Sequence, residues 1–158
     1  MITQFVVTLI IAGVWMFLQE TPAWENFVVG FVIGLVVMQL AVRRLDTPFW
    51  LHRVLAFVKL SFVFLAEVVR SGVRVSYLIL HPKLPISPGL VAVPLDVTSD
   101  EAITIFAGMI TMAPGSISVE LSQDRKYLFV HALEAGDPHK AAAFFKNAFE
   151  RHILEVFE

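Results

Sequence analysis

The sequence predicts a membrane protein in which an α-helical anchor precedes a small α+β domain. Three observations carry this reading. Residues 1–19 and 26–42 form two long runs without a single charged side chain. Apolar residues make up 57% of the chain and charged residues 16%, against roughly 45–50% and 25% in soluble domains. Charge is also uneven: up to Pro88 there are seven Lys and Arg against four Asp and Glu, and from Gly89 onward five against ten. A basic, apolar front half is followed by an acidic back half of ordinary composition.

An apolar run of about 18–20 residues crosses a hydrocarbon core of roughly 30 Å at ~1.5 Å per residue. Residues 1–42 therefore read as a transmembrane hairpin, with spans near 1–19 and 26–42 and a short polar loop at 19–25. A cleaved signal peptide would open on positive charge and end on a small-x-small site; the first run has neither. In the second run Gly30 and Gly34 make a small-xxx-small pair, which lets two helix backbones approach closely. The loop at 19–25 lacks Lys and Arg, whereas the next loop opens with Arg43 and Arg44. Basic residues stay on the cytoplasmic side, so Met1 and Arg43 are expected inside and Glu20 and Glu25 outside. Trp24 and Trp50 stand near the span boundaries, where indole rings favour the headgroup region.

Residues 43–81 read as a basic loop followed by a long amphipathic helix. His52, Lys59, Glu67, Arg70, Arg74, Tyr77 and His81 recur at helical spacings, and at ~100° per residue they fit a sector of about 80°. The other faces carry Leu55, Val58, Phe62, Leu65 and Val69. A broad apolar face with a basic stripe suits a helix lying in the membrane interface. As a third span, the same segment would place Lys59 near mid-membrane at a cost of ~3 kcal/mol before pairing. The sequence reading favours the interface, with His52, Lys59, Glu67, Arg70 and Arg74 as its polar stripe. The rival is a span whose stripe faces a neighbouring chain. The choice sets topology: an interface helix leaves the C-terminal half cytoplasmic.

Pro82, Pro85 and Pro88 mark residues 82–89 as an extended linker. Residues 90–158 then spell β-α-β-β-α. Leu90–Leu95 reads as a strand, and Thr98 with Glu101 as a capping box opening a helix. Ile103, Phe106, Ala107 and Ile110 share one face of it, and Pro114-Gly115 ends it. Ser116–Leu121 alternates with Ile117, Val119 and Leu121 expected inward; Tyr127–Leu133 completes a hairpin. Asp137 caps a last helix with Pro138 at its first position, and Phe144, Phe145, Ala148, His152, Ile153 and Phe157 are expected along its buried side. The order matches five of the six elements of the ferredoxin-like motif. The missing last strand leaves the first as a sheet edge, where Pro94 is tolerable.

No catalytic constellation emerges. There is no cysteine, which removes disulfides, thiolate metal ligands and thiol nucleophiles. The five histidines, His52, His81, His131, His139 and His152, include no i, i+4 pair with a third ligand nearby. No phosphate loop or nucleophile elbow is present. Basic residues do not interleave with aromatics, so nucleic acid is not an expected partner. No metal, cofactor or catalytic residue is assigned.

The stretch Ile110-Thr-Met-Ala-Pro-Gly-Ser-Ile117, followed by Leu128-Phe-Val-His-Ala-Leu133, resembles the E-subunit family of Mrp-type multisubunit cation/proton antiporters. The likeness covers nearly the whole chain, from the short hydrophobic spans to the C-terminal domain. Its motif positions here are Thr111, Pro114, Gly115, Ser116 and His131; Ala113 and Ser116 stand where the family often has threonine. The resemblance implies an accessory subunit of a Na⁺/H⁺ antiporter complex in the bacterial plasma membrane. Its partners would be other subunits and the bilayer, with the ion-conducting residues in the large subunits. The alternatives are a stand-alone membrane-anchored module recruiting a soluble partner through its sheet edge, and a membrane-bound enzyme.

Overall fold

The computed structural model describes residues 2–20, 23–44, 49–82 and 84–157. Those sequence expectations that rest on Met1, Thr21, Pro22, residues 45–48, Lys83 and Glu158 lie outside the described residues. The chain divides into two compact units, Met1–Val54 and Leu55–Glu158. This division falls inside the third helix, not at the proline-rich linker. Leu60 and Phe64 explain it, because they belong to the core built around the sheet.

In the first unit, α1 (Ile2–Leu18) packs against α2 (Trp24–Arg44). Within α2, Trp24–Arg43 is long and apolar enough to cross a membrane, and α1 is a shorter apolar helix. Both leave aliphatic side chains exposed on their outer surfaces, among them Val6, Ile10 and Val14 of α1 and Val32, Val36 and Leu40 of α2. At the start of α3 (Trp50–Leu80), the Trp50 amide donates to Gln4 Oε1 at 3.0 Å. The Trp50 ring meets Phe5 edge-on at 5.1 Å.

In the second unit β1 (Gly89–Pro94), β2 (Ser116–Leu121) and β3 (Tyr127–Ala132) form an antiparallel sheet in the order β1-β3-β2. Val91, Val93, Leu128 and Val130 face the core, where Phe106 and Ile110 of α4 (Asp100–Met112) meet them. Phe145 closes α5 (Pro138–Phe145); one π-helical turn, Lys146–Glu150, carries Phe149, and α6 (Arg151–Phe157) adds Ile153. Alternation along the strands sends Leu90 and Tyr127 to the opposite, exposed face. Edge strand β1 ends at Pro94, whose carbonyl accepts a hydrogen bond from Lys146 Nζ at 3.0 Å.

Three local expectations are corrected. The cap of α4 is Ser99, whose side chain accepts from the Ala102 amide at 3.3 Å, not Thr98. Asp100 and Glu101 then occupy the first turn, where the helix dipole favours acids. In the first half of β2 the faces are reversed: Ile117 and Val119 are exposed and Ser118 turns inward, while Leu121 packs against the core as expected. Ser118 Oγ donates to Ala107 O at 2.9 Å and its amide donates to Thr111 Oγ1 at 3.1 Å. These bonds hook the strand onto α4, and an irregularity between Ser118 and Glu120 shifts the register. In the last helix Phe144 is exposed, because the buried line runs through Phe145, Phe149 and Ile153 at steps of four.

Candidate functional site

Two regions gather the residues singled out in the sequence. The first is the seam between α1 and α2. A Cβ built on Gly30 would sit 2.8 Å from Trp15 Cβ and 2.9 Å from the Ala12 carbonyl oxygen; one on Gly34 would sit 2.9 Å from the Thr8 carbonyl oxygen. Only hydrogen at these positions permits the observed approach. Thr8 and Ala12, both fully buried, are the matching small residues on α1. They repeat the same four-residue spacing, a signal present in the sequence that the glycine pair alone does not capture. Thr8 satisfies its hydroxyl within the helix by donating to Gln4 O at 2.9 Å.

The second region is a crevice of about 400 Å³ in the C-terminal unit. The second half of α3, the loop after α4, the end of β3 and the start of α5 enclose it. It brings together Glu67, Arg70 and Arg74 of the polar stripe with Pro114, Gly115 and Ser116 of the motif. His131 lies elsewhere, exposed on β3 between Leu90 and Ile117.

The motif residues serve the turn. Gly115 has φ +95, in the left-handed region that disfavours a side chain, and its carbonyl accepts from the Leu133 amide at 2.9 Å. Ser116 Oγ donates to Ile110 O at 2.8 Å, covering a carbonyl at the helix end. Thr111 Oγ1 donates to Ala107 O at 2.9 Å while accepting from Ser118. The hydroxyls of Thr111 and Ser116 are therefore engaged in joining α4 to β2.

The stripe on α3 meets protein. Lys59 Nζ lies 2.7 Å from Glu155 Oε2. Arg74 grips Glu134 through two nitrogens, with Nη2 donating to Oε1 at 2.9 Å. Glu67 is buried, its carboxylate 3.5 Å from Arg70 Nη1, and Arg70 itself is largely exposed. His52, on the first turns of α3, packs its ring against Phe49 at 6.0 Å. Opposite the covered side, Phe62, Leu65, Val69 and Val73 stand exposed.

Sequence reasoning misses Glu150. It is 1% exposed, and its Oε1 accepts from the amides of Asp96 at 2.6 Å and Val97 at 3.1 Å. Lys146 Nζ lies 3.3 Å from its other oxygen and 2.7 Å from Asp96 Oδ2. Burial would lower the Lys146 pKa, but Asp96 and Glu150 outweigh it and hold the ammonium above its ordinary 10.5. In sequence, Lys146 and Glu150 read as an ordinary i, i+4 pair on a helix surface.

Acid should loosen this unit. Burial, then the nearby Lys59 charge, keeps His152 below its ordinary 6.5, against an opposing pull from Glu155. The hydrogen bond from Lys59 keeps Glu155 below its ordinary 4.5. Both groups bind fewer protons folded than unfolded, so stability falls with pH. The melting temperature of the full chain in detergent should drop as pH falls below 6.5 and further below 4.5. In His152→Gln the upper step should vanish. A melting temperature constant down to about pH 5 would contradict this assignment.

The sequence matches, over residues 8–156, a family described as "Na+/H+ ion antiporter subunit". It is 33% identical over 153 residues to the Na(+)/H(+) antiporter E subunit of Alkalihalophilus pseudofirmus, covering 97% of each chain. The same figures hold for the Na(+)/H(+) antiporter E subunit of Bacillus subtilis. The fold is similar to a chain of the membrane-bound sulfane sulfur reductase, an archaeal respiratory membrane complex, with a TM-score of 0.58 and 22% identity over 98% of each chain.

Proposed function

This chain belongs to the E-subunit family of Mrp-type Na⁺/H⁺ antiporters, and from that premise we propose that it is an accessory subunit of such a complex in a bacterial plasma membrane. The match along 97% of both chains carries this reading. Other antiporter subunits and the bilayer are its partners, and it supports assembly and cation/proton exchange without conducting ions. Two features support the accessory role. The motif hydroxyls are occupied with joining helix to strand, and Lys59 and Arg74 are neutralised by Glu155 and Glu134.

In this proposal α1 and α2 form the transmembrane hairpin, α3 lies in the inner interface, and the sheet domain is cytoplasmic. The spacing of the α3 ion pairs supports the interface placement. Lys59 and Arg74 are fifteen positions apart in sequence, or about 22 Å along a helix, and each binds a carboxylate of the α/β unit. If α3 spanned the membrane, the Glu155 and Glu134 carboxylates held at Lys59 and Arg74 would be drawn toward hydrocarbon with the unit that carries them, where a charged group near mid-membrane costs about 3 kcal/mol. In the interface, the apolar strip of Phe62, Leu65, Val69 and Val73 faces acyl chains and the charges stay wet.

Deleting the gene should abolish cation/proton exchange in membrane vesicles and shrink the complex on native gels. Full exchange with an unchanged complex would refute the accessory role. For topology, the cysteine-free chain offers a clean reporter at exposed Gln123. A Gln123→Cys variant should resist an impermeant maleimide in intact cells and react in inverted vesicles. Labelling of intact cells would put the domain outside.

A further inference from the structure

The crevice beside α3 has a lining that the accessory role leaves unused, and we propose that it binds one phosphoethanolamine phospholipid. The inference rests on the interfacial placement of α3 given above. The crevice volume of about 400 Å³ lies within the ~300–1,000 Å³ of small-molecule sites. The floor is apolar: Val75, Leu78, Phe144, Phe145 and Phe149. Arg70, Arg74 and Lys140 oppose Glu67, Glu134 and Asp137 on its walls, three charges of each sign.

This balance selects the ligand class. Arg74 is committed to Glu134 by its two-nitrogen grip. Arg70 and Lys140 are the loosely held cations, each with one neighbour on its own helical turn, at 3.5 Å and 3.2 Å. Their side chains are 79% and 86% exposed, free to turn onto a phosphate, which both side chains bind well. That movement would leave the buried Glu67 carboxylate without its cation beside an apolar floor and take Lys140 from Asp137, which keeps the His139 and Lys140 amides. An ammonium on the same ligand replaces the lost cations. A headgroup carrying phosphate and ammonium satisfies both signs, and its acyl chain takes the floor. An anionic headgroup without an amine, such as phosphoglycerol, supplies no such ammonium.

Access fits the same geometry. At ~100° per residue, Arg70 sits on α3 between the exposed strip containing Val69 and Val73 and the crevice side containing Arg74 and Leu78. A lipid entering from the interface meets Arg70 at the mouth.

The test is native mass spectrometry of the full chain purified in mild detergent, then delipidated and re-exposed to defined phosphatidylethanolamine or phosphatidylglycerol. One retained phosphatidylethanolamine per chain is expected, with about tenfold weaker retention of phosphatidylglycerol. The double variant Arg70→Gln, Lys140→Gln should lose about tenfold in occupancy, read on protein whose circular dichroism matches the wild type. A second variant, Ala141→Trp, fills the floor and should block retention while circular dichroism reports an unchanged fold. No specific phospholipid on the wild type, equal retention of both lipids, or retention unaffected by the folded variants would each overturn the site. None of these outcomes bears on the antiporter reading, which stands on the deletion experiment.

Discussion

Replacing Glu150 by alanine should cost the C-terminal unit about 3–5 kcal/mol, the range for breaking one side of a buried ion pair. The carboxylate holds the start of the β1–α4 connection to the last helix by accepting from the Asp96 and Val97 amides. Alanine strands the buried Val97 amide and the partly buried Asp96 amide, and an unpaired buried amide costs roughly 1–3 kcal/mol. Lys146 keeps Asp96 and the Pro94 carbonyl as partners, which moderates the loss. Glu150→Gln retains an acceptor oxygen for the amides while losing the charge, and should fall between wild type and Glu150→Ala. Chemical denaturation of the full chain in detergent, followed by far-ultraviolet circular dichroism, reads the difference. Against total stabilities of about 5–15 kcal/mol, the alanine variant should be partly unfolded at growth temperature. A loss under about 1 kcal/mol would mean that water reaches these amides.

What the sequence revealed depended on whether the signal was local. Pro114-Gly115 ends α4 through a missing amide and a left-handed φ, both properties of the residues themselves. Asp137 followed by Pro138 likewise starts α5, with the carboxylate accepting from His139 and Lys140. The family likeness was also local, carried by residues 110–117 and 128–133, and the match over 8–156 agrees with it. Hydrophobic alternation proved less reliable. In Ser116–Leu121 the alternation predicts Ile117, Val119 and Leu121 inward, but only Leu121 packs on the core; Ser118 turns inward because its hydroxyl bonds Ala107 and its amide bonds Thr111.

Two features of the site needed the tertiary structure. Periodicity along α3 identifies a stripe but not what covers it. Glu155 stands 96 positions from Lys59 and Glu134 stands 60 from Arg74, so no window of sequence pairs them. Glu150 was hidden for the same reason: the amides it binds are 54 and 53 positions away. The crevice was invisible because four separated segments line it. Each contributes residues that read singly as surface charge or core.

Gly34→Leu should separate α1 from α2 and remove the chain from its complex. The clash cannot be relieved by a rotamer, because the nearest atom to a Cβ at Gly34 is the Thr8 carbonyl oxygen at 2.9 Å, followed by Thr8 Cγ2 at 3.1 Å. A side chain of any size pushes against the helix backbone itself. With α1 and α2 in lipid, as proposed, no hydrophobic drive compensates, since acyl chains solvate leucine as well as a neighbouring helix does; close van der Waals packing is the attraction. Gly34→Ala already forces a shift and should cost about 1–3 kcal/mol; leucine should exceed that. Gly13 supplies the control on α1, for a Cβ there meets nothing within 4 Å. Gly13→Leu adds the same bulk and hydrophobicity to a helix of the same pair, yet should leave assembly unchanged. Incorporation into the complex on native gels, normalised to the abundance of each variant, separates the two. Equal losses would show that leucine acts through helix hydrophobicity or insertion. A selective loss in Gly34→Leu assigns the effect to the seam, where Thr8 and Ala12 already leave no room.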